Sequence, residues 1–364
     1  MKNHKILTIL GARPQFIKAA AVSRALQRTD LQEIIVHTGQ HFDEKMSEVF
    51  FREMEIPKPT HRLEIHSLPH GAMTGRMIEG IENILFAEKP SAVMVYGDTN
   101  STLAGALAAV KQHVPVIHVE AGLRSFNMHM PEEVNRVLTD RVSSLLFCPT
   151  DTAVQNLKNE GFEHFPIKIV RTGDVMYDAA LYYFQKAKHH STILQILRPE
   201  PGKFALATLH RQENTDNPER LKGIVEGLNQ INKHTPVVVP LHPRTRKTLE
   251  NLNYTVNFHI IDPVGYFDML MLLDSCSIVL TDSGGLQKEA FFFKKPCITL
   301  RDETEWVELV EGGYNTLAGW QPHRIQDAFE KSLLYKPDFN KNLYGQGDAS
   351  EKIASSIQEF LQTA

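Results

Sequence analysis

Short apolar runs recur along the first half of the chain: KILTIL, EIIVHT, SAVMVY, VPVIHV, SLLFC and IKIVRT. Between them lie segments whose apolar positions fall three and four apart, such as FIKAAAVSRAL, TGRMIEGIENILFAE and STLAGALAAVKQ. Runs that stay apolar at consecutive positions suit strands covered on both faces, so the pattern predicts a parallel sheet flanked by helices. After the polar stretch AKHHSTILQILRPEPGK (residues 187–203) the alternation restarts with FALATL, PVVVPL, FHII, SIVLT and PCITL. The expected fold class is α/β, with two doubly wound Rossmann-like domains facing a cleft. Residues 1–175 would form the first and residues 176–349 the second. A closing helix over residues 350–364 (EKIASSIQEFLQ) would pack back on the first domain.

At 364 residues the chain exceeds the size at which one core usually stops growing, which agrees with two domains. A net charge of −4 supplies no basic field for nucleic acid or an anionic membrane, so an anionic ligand must be held locally. The first apolar run is broken by Gly11, Arg13 and Pro14, too soon for a membrane span or a signal core, and a cytoplasmic enzyme is expected. Cys148, Cys276 and Cys297 stand apart in strand-like segments, without a CxxC pair, and read as buried hydrophobes in a reducing compartment.

Ligands of open α/β sheets bind beyond the carboxyl ends of the strands, so the residues after each strand are the place to look for chemistry. Those segments are GARPQFIK, GDTNST, EAGLR, HRQEN and DSGGLQKEA. None contains GxGxxG. The nearest phosphate cradle is Asp282-Ser283-Gly284-Gly285 opening a helix, where exposed N–H groups favour an anion; an N-cap with a tight turn is the structural alternative. Arg13 and Lys18 flank a helix start, where cations oppose the dipole unless an anion joins them.

Asp98, Glu120 and Glu132 follow successive strands of the first half. Singly, each has a structural reading: a cap, a helix-start acid, or a surface ion pair between Glu132 and Arg136. Together they are expected to converge and to work as general acids and bases. His210 follows the first strand of the second domain and joins this set. His242 is a weaker candidate, and the other histidines read as surface residues. Neither DxD nor HExxH occurs, so no metal is called for.

The segments GARPQFIK, HTGQH, YGDTNSTLAGALAA, HVEAGLRS, MPEEVNR, TGDVMYDA, HRQEN and LTDSGGLQKEA followed by KPCITLRDETE, in this order, resemble the non-hydrolysing UDP-N-acetylglucosamine 2-epimerases. The resemblance implies a glycosyltransferase B type fold with UDP held mostly by the second domain. It also implies inversion of C2 of a UDP-2-acetamido sugar by elimination and re-addition of UDP through a 2-acetamidoglucal. On the matching positions, Asp98, Glu120 and Glu132 would perform the acid/base steps, and Lys18, Arg136 and His210 would orient or neutralise the sugar-diphosphate. Arg13, Ser283, Gly284, Gly285 and Glu289 would bind UDP. A homodimer without a cofactor is implied, as is a role in bacterial surface polysaccharide synthesis.

The chain departs from the family's common pattern at Gln15, at Trp306 in TEWVE, and at Met269 in the nucleotide site. These departures, with GARPQFIK, bring it closer to the branch acting on UDP-2,3-diacetamido-2,3-dideoxyglucuronic acid, which feeds O-antigen synthesis. Gln40 and His41 resemble part of a second, activating nucleotide-sugar site. A hydrolysing epimerase releasing N-acetylmannosamine, a glycosyltransferase of the same fold and a UDP-sugar sensor are the alternatives.

Overall fold

The computed structural model describes residues 4–40, 55–252, 254–335 and 337–363. The side chain of Arg13 and the whole of His41 lie outside the described residues. The first sheet contains β1 (Lys5–Leu10), β2 (Gln32–His37), β3 (His61–Arg62), β4 (Ala92–Tyr96), β5 (Val116–Val119), β6 (Leu145–Cys148) and β7 (Lys168–Arg171). Their order is β3-β2-β1-β4-β5-β6-β7, and every neighbouring pair is parallel. The second sheet contains β8 (Ala205–Thr208), β9 (Val237–Pro240), β10 (His259–Ile261), β11 (Ile278–Thr281), β12 (Cys297–Thr299) and β13 (Asn315–Leu317). It runs β10-β9-β8-β11-β12-β13, again parallel throughout. In each sheet the direction of winding reverses once, between β1 and β4 and between β8 and β11, and these switch points open the crevices where α/β proteins place ligands.

The consecutive apolar runs have the expected cause. Ile6, Leu7, Val93, Met94, Ile117 and Leu146 alternate between the faces of the first sheet, and all are fully buried because helices cover both sides. On one face Leu7, Ile9, Val93 and Val95 pack with Met77, Ile81, Ala104 and Ala108. The small side chains of helix Asn100–Lys111 let its backbone approach the sheet closely. Burial of each large aliphatic side chain contributes about 1.5–3 kcal/mol. The second unit repeats the plan with two clusters, one around Leu221, Ile224 and Leu280 and one around Leu272, Leu273 and Val279.

Two strands escape the hydrophobic pattern, β3 and β13. Both are short edge strands whose identity comes from the ladder beside them rather than from their own periodicity.

The chain forms two compact units. One runs through Ala179 and resumes at Asn342, and the other is Ala180–Lys341, so the division falls inside helix Val175–His190. Helix Ala349–Thr363 belongs to the first unit. It buries Ile353, Ala354, Ile357 and Leu361 along one stripe and packs against helix Arg13–Leu26. Its first turn would leave backbone N–H groups without partners, and the Asp178 carboxylate supplies one, accepting from Ala349 N at 3.2 Å, Ser350 N at 2.7 Å and Ser350 Oγ at 2.7 Å.

Asp178→Ala is expected to lower unfolding free energy by about 1–2 kcal/mol, the usual cost of losing an N-cap. Urea denaturation measures the loss, and hydrogen exchange in residues 349–363 should accelerate first.

Candidate active site

At the first switch point, helix Arg13–Leu26 begins directly after β1, with Pro14 in its first turn, where a missing N–H costs nothing. Gln15 is buried and stitches the loop after β1 to the loop after β4. Its Oε1 accepts from Gly11 N at 2.8 Å and Ala12 N at 3.0 Å, and its Nε2 reaches Tyr96 O at 2.8 Å and the hydroxyls of Thr99 and Thr102 at 3.0 Å. A carboxylate could not donate to the Tyr96 carbonyl, so the amide is the group this junction requires.

One turn further along, Lys18 is buried with its ammonium against the Glu120 carboxylate. The pair fits because Gly97 lies beside it. A Cβ at Gly97 would sit 3.1 Å from Lys18 Nζ, and its φ of +61° suits glycine. Glu120 has φ +73°, a conformation that costs a non-glycine residue about 1–3 kcal/mol and is held only where the surroundings impose it. The imposing contacts are the N–H groups of Glu120 and Ala121, both donating to Phe147 O, at 3.1 and 3.0 Å.

Asp98, two residues beyond β4, is partly exposed, and its carboxylate pairs with the buried guanidinium of Arg136. Arg136 also binds Glu133 at 2.6 Å. The surface pair between Glu132 and Arg136 suggested by their spacing is therefore replaced: the arginine turns inward, and its helical partner is Glu133, three residues away. Glu133 in turn accepts from Ser125 N, Ser125 Oγ and Phe126 N at 2.9–3.0 Å, which fixes the preceding loop. Glu132 stands exposed in the same first turn.

Beneath these loops lies a network that the sequence did not reveal. His118 was expected at the surface with the minor histidines, but it is fully buried in β5 because its neighbours supply polar partners inside the sheet. Its Nδ1 donates to Asp140 Oδ1 and its Nε2 to Gly97 O, both at 2.7 Å. Both ring nitrogens are thereby occupied by partners inside the protein. Asp140 Oδ2 also accepts from Gly122 N at 3.1 Å and Arg124 at 2.7 Å, and Arg124 forks onto Glu160 at 2.6 and 2.8 Å. Burial pushes the Asp140 carboxyl up, but His118 and Arg124 outweigh it and hold it below its ordinary value of 3.8. A histidine inside an otherwise apolar strand, VIHV, was the only available signal.

In the second unit the site is built around β8 and β11. Thr208 and Thr281 join these strands through their hydroxyls at 2.6 Å. Next in line, the fully buried carboxylate of Asp282 faces Nδ1 of the half-exposed His210 at 3.1 Å. Ser283 caps helix Gly284–Phe292, its hydroxyl accepting from Leu286 N. A Cβ on Gly284 would lie 2.4 Å from Glu305 Oε1, so a larger residue there would displace that carboxylate, whereas a Cβ on Gly285 would meet only Ser283 Oγ at 4.0 Å. Glu289 is buried and accepts from Tyr266 OH at 2.8 Å.

Met269 is half-buried and packs on a core cluster. Trp306 is only 2% exposed, with Lys288 Nζ 4.1 Å from its ring centroid. It lies beside Gly284, where a Cβ would sit 3.6 Å from its indole Nε1. His242 caps helix Pro243–Asn251 through Nδ1. Gln40 accepts from Ser101 N and Oγ at 3.0 and 2.7 Å, at the helix start after Asp98. The three cysteines are free and buried; burial raises all three thiols, Cys276 and Cys297 to about 12. Among the described residues no cluster of three or more His, Cys, Asp and Glu could hold a metal ion, and no helix is long and apolar enough to cross a membrane.

The family model described as UDP-N-acetylglucosamine 2-epimerase matches residues 24–358. The chain belongs to that family. It is 58% identical, over 98% of its length and 100% of the relative's, to the UDP-2,3-diacetamido-2,3-dideoxy-D-glucuronate 2-epimerase of Pseudomonas aeruginosa. The UDP-N-acetylglucosamine 2-epimerase of Methanocaldococcus jannaschii is 45% identical over 96% of this chain and 97% of the relative. The crystal structure of the M. jannaschii enzyme in complex with UDP-GlcNAc and UDP superimposes with a TM-score of 0.90 at 44% identity, covering 98% of this chain and 99% of that one. That of the Neisseria meningitidis enzyme bound to UDP-GlcNAc gives 0.89 at 33%, covering 98% and 100%. The chain is therefore an enzyme of the UDP-sugar 2-epimerase family, with the α/β architecture of two parallel sheets that its solved relatives share.

In this epimerase the Asp140 network bears directly on acid stability. Because its carboxyl is held low in the folded state, the stabilisation is complete above about pH 4 and is lost as the pH falls through the depressed value. Asp140→Asn is expected to destabilise the protein at neutral pH and to flatten the dependence of unfolding free energy on pH below about 4. Chemical denaturation across that range checks both.

Proposed function

We propose that this enzyme inverts C2 of a UDP-2-acetamido sugar by eliminating UDP and adding it back. The observation that carries the reading is the pair of carboxylate–cation couples at adjacent strand ends, Glu120 with Lys18 and Asp98 with Arg136. The C2 hydrogen is barely acidic until the C1–O bond loosens, so the leaving diphosphate must be stabilised as the bond breaks. One carboxylate takes the C2 proton while the C1–O electrons depart with UDP, leaving a C1–C2 double bond in a 2-acetamidoglucal. UDP oxygen then adds to C1 as a carboxylic acid delivers a proton to the opposite face of C2. The reaction is redox-neutral and its atoms balance without a cofactor.

Asp98, Glu120 and the exposed Glu132 take the acid/base roles in this reading. Lys18 and Arg136 neutralise charge around the sugar. In the second unit, His210 and the Ser283–Gly285 cradle receive the diphosphate, and Glu289 the ribose hydroxyls. The helix start behind the cradle favours an anion there.

The substrate we favour is UDP-2,3-diacetamido-2,3-dideoxyglucuronate, because the 58%-identical relative bears that name. UDP-N-acetylglucosamine is the second reading, supported by relatives of that name at 45% identity. A homodimer serving bacterial surface polysaccharide synthesis in the cytoplasm completes the proposal, and buried reduced thiols suit such a compartment.

Proton NMR with each nucleotide sugar in D₂O tests it. Deuterium at C2 with growth of the manno-configured UDP-sugar is the expected outcome, and the nucleotide that turns over is the substrate. Free sugar as the sole product would indicate a hydrolysing enzyme, and no exchange with either would overturn the reading. Asp98→Asn, Glu120→Gln and Glu132→Gln should each lower kcat by ~10²-fold or more while UDP still binds. Wild-type turnover in all of them would remove the carboxylates from the mechanism.

A further inference from the structure

His210 is exposed on one side and met by a fully buried carboxylate on the other, and that asymmetry decides which nitrogen it can offer. Its side chain is 56% exposed, while that of Asp282 is 0% exposed. The Asp282 carboxylate is held from several directions. It accepts from His210 N at 3.2 Å, Arg211 N at 3.1 Å and Asn214 Nδ2 at 3.2 Å. Asn214 is itself fixed, donating to Leu300 O at 3.0 Å and accepting from Arg220 Nε at 3.1 Å. A carboxylate so restrained cannot rotate away from the imidazole. Burial alone would raise its pKa, but the contacts from His210, Arg211 and Asn214 outweigh burial and hold it below the usual carboxylate range, so it acts purely as an acceptor.

We propose that Asp282 is the positioning residue of His210: it fixes the hydrogen on Nδ1 and aims Nε2 at the substrate diphosphate. The proposal rests on the diphosphate role given to His210 above. With Nδ1–H committed to Asp282, Nε2 carries either a lone pair or, once a solvent proton is bound, an N–H that can donate to a phosphate oxygen. His210 therefore meets the diphosphate through Nε2, with the buried carboxylate standing behind it at Nδ1. Asp282 also leads directly into the cradle. Ser283 N donates to Thr281 Oγ1 at 2.9 Å and Ser283 Oγ caps the helix, so the four residues Thr281–Gly284 set the imidazole and the anion-binding helix start together.

Asp282→Asn tests this with almost no change of shape. The carboxamide oxygen can still accept backbone N–H groups, which turns the NH₂ toward Nδ1 and forces the hydrogen to Nε2. Long-range ¹H–¹⁵N correlation spectra of the full-length protein, with His210→Ala to assign the ring, should show Nδ1–H in the neutral wild-type imidazole and Nε2–H in the variant. The variant should lose ~10²-fold or more in kcat while UDP affinity, measured by calorimetry, stays close to wild type.

Nε2–H in the neutral wild-type ring would overturn the proposal without any variant, which covers the case in which Asp282→Asn fails to fold. A variant with the wild-type tautomer and wild-type kcat would also overturn it, as would a loss confined to UDP affinity. Absence of C2 exchange in the wild type would instead sink the epimerase reading, and the tautomer would still decide the pairing.

Discussion

The carboxylate of Asp140 is the contact around which the loops after β4 and β5 are arranged. It sits in the interior and gathers the His118 imidazole, the Gly122 N–H and the Arg124 guanidinium. Through His118 it reaches the Gly97 carbonyl, one residue before Asp98, and through Gly122 it fixes the loop that leaves Glu120. An ion so placed is stabilising only while its partners are present, since an uncompensated buried charge costs about 3–5 kcal/mol. The network is therefore a specificity device: it makes one geometry of both loops much cheaper than any other, and that geometry includes the unfavourable φ of Glu120.

The two units solve the same problem with different means. Each uses a switch point of a parallel sheet to bring two strand ends side by side, and each buries a carboxylate behind the exposed chemistry. In the first unit Asp140 supports the loops bearing Asp98 and Glu120, and in the second Asp282 supports an imidazole beside a helix start. Gln15 and the Thr208–Thr281 hydroxyl pair act as the cross-links between the strand ends. Asp140 and Asp282 are both fully buried.

Gln15, Trp306 and Met269 each have a physical place in this arrangement. Gln15 both accepts and donates, which a carboxylate could not do against the Tyr96 carbonyl. Trp306 packs beside Gly284 with Lys288 over its ring. Met269 contributes to a core cluster.

The sequence by itself determined the class of the fold, because consecutive apolar runs separated by amphipathic helices have few other solutions, and it placed the candidate polar residues in the segments after those runs. It did not distinguish Glu132 from Glu133, which share a helix turn and differ only in which one faces Ser125 and Arg136. Nor did it separate His118 from the surface histidines, or show that Asp282 lies behind His210 rather than in the cradle with Ser283. Those assignments depend on partners 22 and 72 residues away, Asp140 for His118 and Asp282 for His210. Periodicity records which face of an element is apolar, whereas the pairing of buried polar groups is set by which strand ends the topology makes neighbours, and only the tertiary structure decides that.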